Sequence, residues 1–151
     1  MCYGMDQEQS ALILKQLRLK VTSQRLEVMH CLGGGRAYLS ADEVWNLIKP
    51  RLGSISLPTV YRILDELAEA GVITRIFRSD RKQYYFLCTN QEHHHHFVCE
   101  SCRNVEDVNL CCLEGVAQEI ARSSGGCVTS HILQINGLCG VCSESGQGAS
   151  A

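Results

Sequence analysis

The sequence predicts an α+β chain: a winged helix-turn-helix domain followed by a small α/β domain rich in metal-binding side chains. Three observations predict it. Four stretches with apolar residues at helical spacing crowd the first 70 residues. Two alternating runs joined by a polar turn come next. Behind them the chain carries most of its ten cysteines and six histidines, including the doubled spacing Cys99-x-x-Cys102 and Cys139-x-x-Cys142.

The elements follow in order. From Gln7 to Leu17, the residues Leu12, Ile13, Leu14 and Leu17 make one face of a short amphipathic helix. Thr22 reads as the N-cap of a second helix, whose Leu26, Met29 and Leu32 fall three apart before Gly33-Gly34-Gly35 ends it. Ser40 followed by Glu43 is a capping box that opens a third helix, Ala41 to Ile48, and Pro50 is expected to stop it soon after. Ser56 caps a fourth helix, in which Pro58 is tolerated because first-turn amides have no intrahelical partner. Val60, Ile63, Leu64 and Leu67 form its apolar stripe, while Thr59, Tyr61, Arg62 and Asp65 face outward. Gly71 ends that helix. The runs Val72 to Ile76 and Gln83 to Cys88, joined at Ser79-Asp80-Arg81, predict a hairpin, the wing. Short strands are expected at Phe97-Val98 and Val105 to Val108, a helix from Leu113 to Arg122, and an alternating strand from Val128 to Ile135. The domains are expected at 1–88 and 89–142, with a small, polar, disordered tail at 143–151.

The totals narrow the class. At 45% hydrophobic and 20% charged residues, the composition is that of a soluble globular protein. No apolar run is long enough for a membrane span, and the N-terminus lacks the features of a signal peptide. A cytoplasmic protein with reduced, metal-bound thiols is therefore expected rather than a disulfide scaffold. The net charge of −2 conceals an asymmetry: residues 1–90 hold 12 Lys/Arg against 9 Asp/Glu, and residues 91–151 hold 2 against 7. A basic front half and an acidic, ligand-rich back half suit a module that meets a polyanion with one half and holds cations with the other.

The segment Cys88 to Cys102 offers three thiols and four imidazoles within fifteen residues. These are the side chains that best bind borderline-soft metals. Cys99, Cys102, Cys139 and Cys142 are assigned to a closed, structural zinc site, since two C-x-x-C pairs can converge on one tetrahedral ion. In an extended segment, His93 and His95 face one side and His94 and His96 the other, so the run predicts two further sites.

At this point the chain resembles the ferric uptake regulator family of bacterial metal-sensing repressors. The motifs that carry the resemblance are KVTSQR at 20–25, LSADEVW at 39–45, ISLPTVYRILDELAEAGVI at 55–73, HHHHFVCESC at 93–102 and LCGVC at 138–142. The resemblance implies a homodimer whose N-terminal winged helix binds palindromic operator DNA and whose C-terminal half dimerises, with metal at the hinge locking the DNA-binding shape. It also implies a sensor site at Cys88, His94 and His96, and a second regulatory site at His93, His95, Glu114 and His131. Lys20, Arg25, Thr59, Tyr61 and Arg62 match the family's DNA-facing residues. Arg25 is expected on backbone phosphate, Lys20 in the minor groove, and Tyr61 and Arg62 on bases or phosphate.

Cys88 stands where iron and peroxide sensors of the family resemble one another in using carboxylate and imidazole ligands. A thiolate with two imidazoles favours zinc, so the chain looks most like the zinc uptake regulators, with Fe2+ or Mn2+ as the alternative occupants of the regulatory sites. Two departures stand out. Thr74 holds the place of an acidic ligand found in some zinc regulators, which leaves Asp80, Glu92 or a water to complete the shell. Tyr38 stands where iron-type members often place a histidine. A zinc enzyme is the competing class, but neither H-E-x-x-H nor H-x-E with a downstream P-C-x-x-C is present. The expectation is a zinc-sensing repressor, not an enzyme. The remaining cysteines Cys2, Cys31, Cys111, Cys112 and Cys127 are expected to be small packed or exposed residues.

Overall fold

The computed structural model describes residues 5–35, 37–90 and 92–146. Cys2 and residues 147–151 of the expected tail lie outside them. The chain divides into two compact units, Met1–Thr89 and Asn90–Ala151, each with its own three-stranded sheet.

The first unit contains α1 (Gln7–Gln16), α2 (Ser23–Gly33), a two-residue strand β1 (Leu39–Ser40), α3 (Ala41–Leu52), α4 (Leu57–Glu69), β2 (Ile73–Phe77) and β3 (Gln83–Leu87). The strands run antiparallel in the order β1-β3-β2, with Ile73 opposite Leu87 and Phe77 opposite Gln83. This is the expected helix array followed by a wing, with β1 as an added edge.

Side-chain caps set the helix starts. The Thr22 hydroxyl accepts the Arg25 amide and the Ser56 hydroxyl accepts the Thr59 amide. Ser40 and Glu43 cap each other reciprocally, at 2.8 and 3.3 Å. Each cap contributes on the order of 1 kcal/mol. Gly71, at φ 76°, reverses the chain in the left-handed region that a side chain disfavours. The α4 stripe of Val60, Ile63, Leu64 and Leu67 is fully buried against Val28, Met29 and Leu32 of α2 and Val44 and Ile48 of α3. The indole N–H of Trp45 donates to the Ile55 carbonyl at 2.9 Å, tying α3 to the start of α4.

One expectation is corrected in this unit. Helix α3 runs past Pro50 to Leu52. Pro50 sits in the last turn, where its missing amide removes one late hydrogen bond, and Gly53 closes the helix by donating to the Lys49 carbonyl. Arg25, expected on backbone phosphate, has partners within the unit. Its side chain is only 13% exposed, and its guanidinium is held by Glu66 of α4 and by the Lys20 carbonyl.

The second unit contains β4 (His95–Cys99), β5 (Val105–Val108), α5 (Leu113–Ser124), β6 (Gln134–Gly137) and α6 (Gly140–Glu144). β4 lies at the centre, antiparallel to β5 and parallel to β6. The expected strand from Val128 shrinks to 134–137, because only there does the chain find a partner, with Gln134 opposite His96 and Gly137 opposite Cys99. Ser143 and Glu144, expected in the tail, belong to α6. The Ser145 hydroxyl donates to the Val141 and Cys142 carbonyls and so occupies acceptors that the helix end leaves open.

The core of this unit is small. Among its described residues only His95, His96, Val98, Cys99, Val105 and Cys142 are buried, and α5 buries none. Stability in the first unit should therefore be dominated by the α4 stripe. Leu64→Ala is expected to destabilise that unit by about 2–5 kcal/mol, seen as an earlier urea transition in Trp45 fluorescence; a loss below about 1 kcal/mol would contradict the packing described.

Candidate metal centres

β4 and the turns at its two ends supply ligands to three groups of side chains. In the first, the sulfurs of Cys99, Cys102, Cys139 and Cys142 all lie within 4.8 Å of one another. Cys99 ends β4 and is fully buried, Cys102 sits in the following turn, Cys139 caps α6, and Cys142 is buried within it. Backbone geometry builds this knuckle. The Cys99 amide donates to the Asn104 carbonyl, the Arg103 amide to the Cys99 carbonyl, and Arg103 takes φ 65° to turn the chain. Cys102 and Cys139 sulfurs are 3.6 Å apart. Zinc–sulfur bonds of about 2.3 Å in a tetrahedron place sulfurs about 3.8 Å apart, so the four thiols fit one zinc ion. Burial pushes the Cys99 thiol up, but the amides of Cys139, Cys102 and Ser101 outweigh it and bring the thiol down to about 6. The thiolate that a metal needs is thus favoured there.

The second group gathers His94, His96 and Asp107. The two Nε2 atoms are 3.0 Å apart, and each is 3.9 Å from Asp107 Oδ1. Tetrahedral zinc–nitrogen bonds would set the nitrogens about 3.3 Å apart. Nδ1 of His94 donates to the Glu92 carbonyl at 2.7 Å, which fixes the tautomer in which Nε2 is the ligating nitrogen. The other oxygen of Asp107 accepts from the Asn90 amide group at 2.9 Å, orienting the carboxylate. Burial, the His94 charge and, more weakly, that of His95 lower the His96 pKa against the opposing pull of Asp107, so its imidazole is neutral and able to ligate at neutral pH.

The third group lies on the opposite side of β4, as the alternation of the strand requires. His93, His95 and His131 converge with Cys111, all ligand atoms within 4.8 Å. Nε2 of His131 is 3.4 Å from Nε2 of His95 and 3.5 Å from Cys111 Sγ. Burial and the neighbouring imidazoles His93, His131 and His94 lower the His95 pKa, again favouring the neutral ligand. Glu114, expected in this group, is exposed on the first turn of α5 and is not among the gathered atoms.

Two of the gathered residues were missed in the sequence. Asp107 stands directly across from His96 in the β4–β5 register, a neighbour that becomes visible only once the pairing is known. Cys111 was treated as a packed residue, although its place just after β5 brings it beside His131. Asp80, a suggested ligand, is occupied in the wing turn, where it accepts the Tyr84 hydroxyl at 2.6 Å and the Lys82 amide at 3.0 Å. Cys88 follows β3 and is half-buried. Tyr38 is buried edge-on against Tyr84. Burial raises the Cys31 thiol to about 11, which makes it inert.

The residues expected to meet DNA line α4 and the approach to α2. Tyr61 is 41% exposed, with its hydroxyl donating to Asp42 at 3.4 Å. The Arg62 side chain is 62% exposed and pairs with Glu66 at 3.3 Å. Lys20 is exposed, and Thr59 is half-buried with its hydroxyl shared with Ser56.

Comparison with known proteins points the same way. A family model described as the ferric uptake regulator family matches residues 16–136. The chain is 34% identical to the ferric uptake regulation protein of Yersinia pestis over 134 residues, which is 87% of this chain and 90% of that protein. It is 27% identical to the peroxide-responsive repressor PerR of Staphylococcus epidermidis over 139 residues, 92% of this chain and 91% of that one. A solved structure of a zinc uptake regulator complexed with zinc and DNA matches with a TM-score of 0.74 at 28% identity, covering 93% of this chain and 95% of that one. With helices, wing, cysteine knuckle and histidine strand in the order that family requires, the chain belongs to the ferric uptake regulator family.

Proposed function

We propose that this chain is a zinc-responsive transcriptional repressor that binds a palindromic operator as a homodimer and controls zinc-uptake genes. One observation carries the proposal: two imidazoles and a carboxylate, oriented by the Glu92 carbonyl and by Asn90, with both Nε2 atoms turned toward the same carboxylate oxygen. Cys88, six residues before His94 in the sequence, adds a thiolate to that set. A set of two nitrogens and one oxygen alone would accept Fe2+ or Mn2+, whereas sulfur shifts the preference toward zinc.

In this reading residues 1–88 bind DNA, and residues 89–142 hold metal and dimerise. The four-cysteine zinc is structural. Its binding supplies folding energy, on the order of 10–16 kcal/mol for structural sites of this kind, to a unit with few buried apolar side chains. Metal held by Cys88, His94, His96 and Asp107 is the regulatory ion that favours the DNA-binding state. By linkage, DNA then tightens the metal by the same factor. Tyr61 and Arg62 reach base edges or phosphate, Lys20 the minor groove, and Thr59 the neighbouring backbone. Arg25, paired with Glu66 of α4, meets backbone phosphate. Dimerisation is supported by apolar side chains left in solvent on the second unit, among them Leu110, Val116, Ile132 and Val141, each more than half exposed. Among the described residues no helix is long and apolar enough to cross a membrane; the proposed regulator works in the cytoplasm, with no catalytic role.

Titrating free zinc, ferrous iron and manganese anaerobically against operator binding tests the metal. Zinc is expected to activate at the lowest free concentration, and Cys88→Ala to weaken that response at least about 10-fold while the protein stays folded. Equal activation by ferrous iron with no effect of Cys88→Ala would instead assign iron or peroxide sensing. Stripping the cysteine-bound zinc with a strong chelator should expose the second unit to protease while Trp45 fluorescence in the first unit is unchanged; protease resistance that survives zinc loss would remove the structural role.

A further inference from the structure

The third group departs from the set that resemblance implied. Three imidazoles are as expected, but the fourth ligand is a sulfur. Cys111 Sγ lies 3.5 Å from His131 Nε2 and within 4.8 Å of the His93 and His95 nitrogens. Glu114, three residues later, is exposed on α5 and outside the gathered atoms. The local fold explains the choice. Pairing of His95 with Val108 fixes the end of β5 beside the histidines, and only two residues, Asn109 and Leu110, separate it from Cys111. The first turn of α5 begins beyond it, at Leu113. Adjacent Cys112 is exposed at the helix cap and takes no part.

We infer that Cys111, not Glu114, is the fourth ligand of the His93–His95–His131 site, which is therefore a three-nitrogen, one-sulfur centre selective for zinc over ferrous and manganous ions. The inference rests on the proposal that this group binds a regulatory metal. Exchanging a carboxylate for a thiolate changes the donor set from one that hard divalent ions share into one that favours softer ions. The thiolate also completes a tetrahedron, the geometry zinc prefers and six-coordinate manganous ion does not. With Cys88 at the other regulatory site, each would then carry one sulfur, so neither would be readily filled by the metals that iron and manganese sensors bind.

Cobalt(II) reports the ligands directly, because a bound thiolate adds a near-ultraviolet charge-transfer band and a tetrahedral site adds intense visible bands. The full-length protein with its cysteine-bound zinc retained is used, in a Cys88→Ala background that removes the other regulatory thiol, under reducing, anaerobic conditions. Cobalt is expected to produce both bands. Cys111→Ser should abolish the charge-transfer band and weaken zinc binding at least about 10-fold, whereas Cys112→Ser and Glu114→Gln should leave both unchanged. Circular dichroism and dimer mass show whether each variant remains folded. Cobalt binding without a charge-transfer band, or its loss in Glu114→Gln with Cys111→Ser unaffected, overturns the assignment of Cys111 while leaving the site in place. Cobalt uptake that His131→Ala does not reduce overturns the reading of the whole group as a metal site.

Discussion

A β-strand sends successive side chains to opposite faces, and the regulatory chemistry of this protein hangs on that alternation in and just before β4. His93 and His95 point to one group and His94 and His96 to another, while the strand's last residue, Cys99, opens the cysteine knuckle. A shift of one residue in the β4 register would exchange the two histidine pairs and carry Cys99 away from Cys139. The register is held on both sides, antiparallel to β5 and parallel to β6. Three ligand sets are thus coupled to one strand without sharing an atom.

The same strand explains why metal and fold belong together in the second unit. Its buried residues are few, and two of them are histidines. Ions would supply there the cohesion that apolar packing supplies in the first unit, where sixteen buried residues form one cluster. A unit held by ligands and finished by a partner subunit responds to metal supply in a way that a well-packed core does not. The first unit needs no such help, because its helices are capped by their own side chains and α4 is anchored by a stripe of four buried residues.

Much of this was legible in the sequence, and what was not has a common cause. The caps at Thr22, Ser40 and Ser56 are local, as is the doubled C-x-x-C spacing, and the alternation of the histidines needs only the assumption of an extended chain. The misses all depend on long-range pairing. Asp107 joins the His94–His96 group through its register with His96, and β6 is short because only four residues meet β4. Arg25 pairs with Glu66, 41 residues away, a contact that no local pattern shows. Cys111 comes beside His131 because the connection from β5 is short, a proximity that residue type alone does not show.

The central claim is that one strand serves three separate metal sites per chain. Zinc content at saturation, measured by native mass spectrometry together with a competition titration, tests it most directly. The account predicts three zinc ions per chain, one retained through mild chelation and two exchangeable, with the exchangeable ions lost singly in His96→Ala and His131→Ala. A single tightly held zinc with no further uptake, or the loss of both exchangeable ions in either variant, would contradict it.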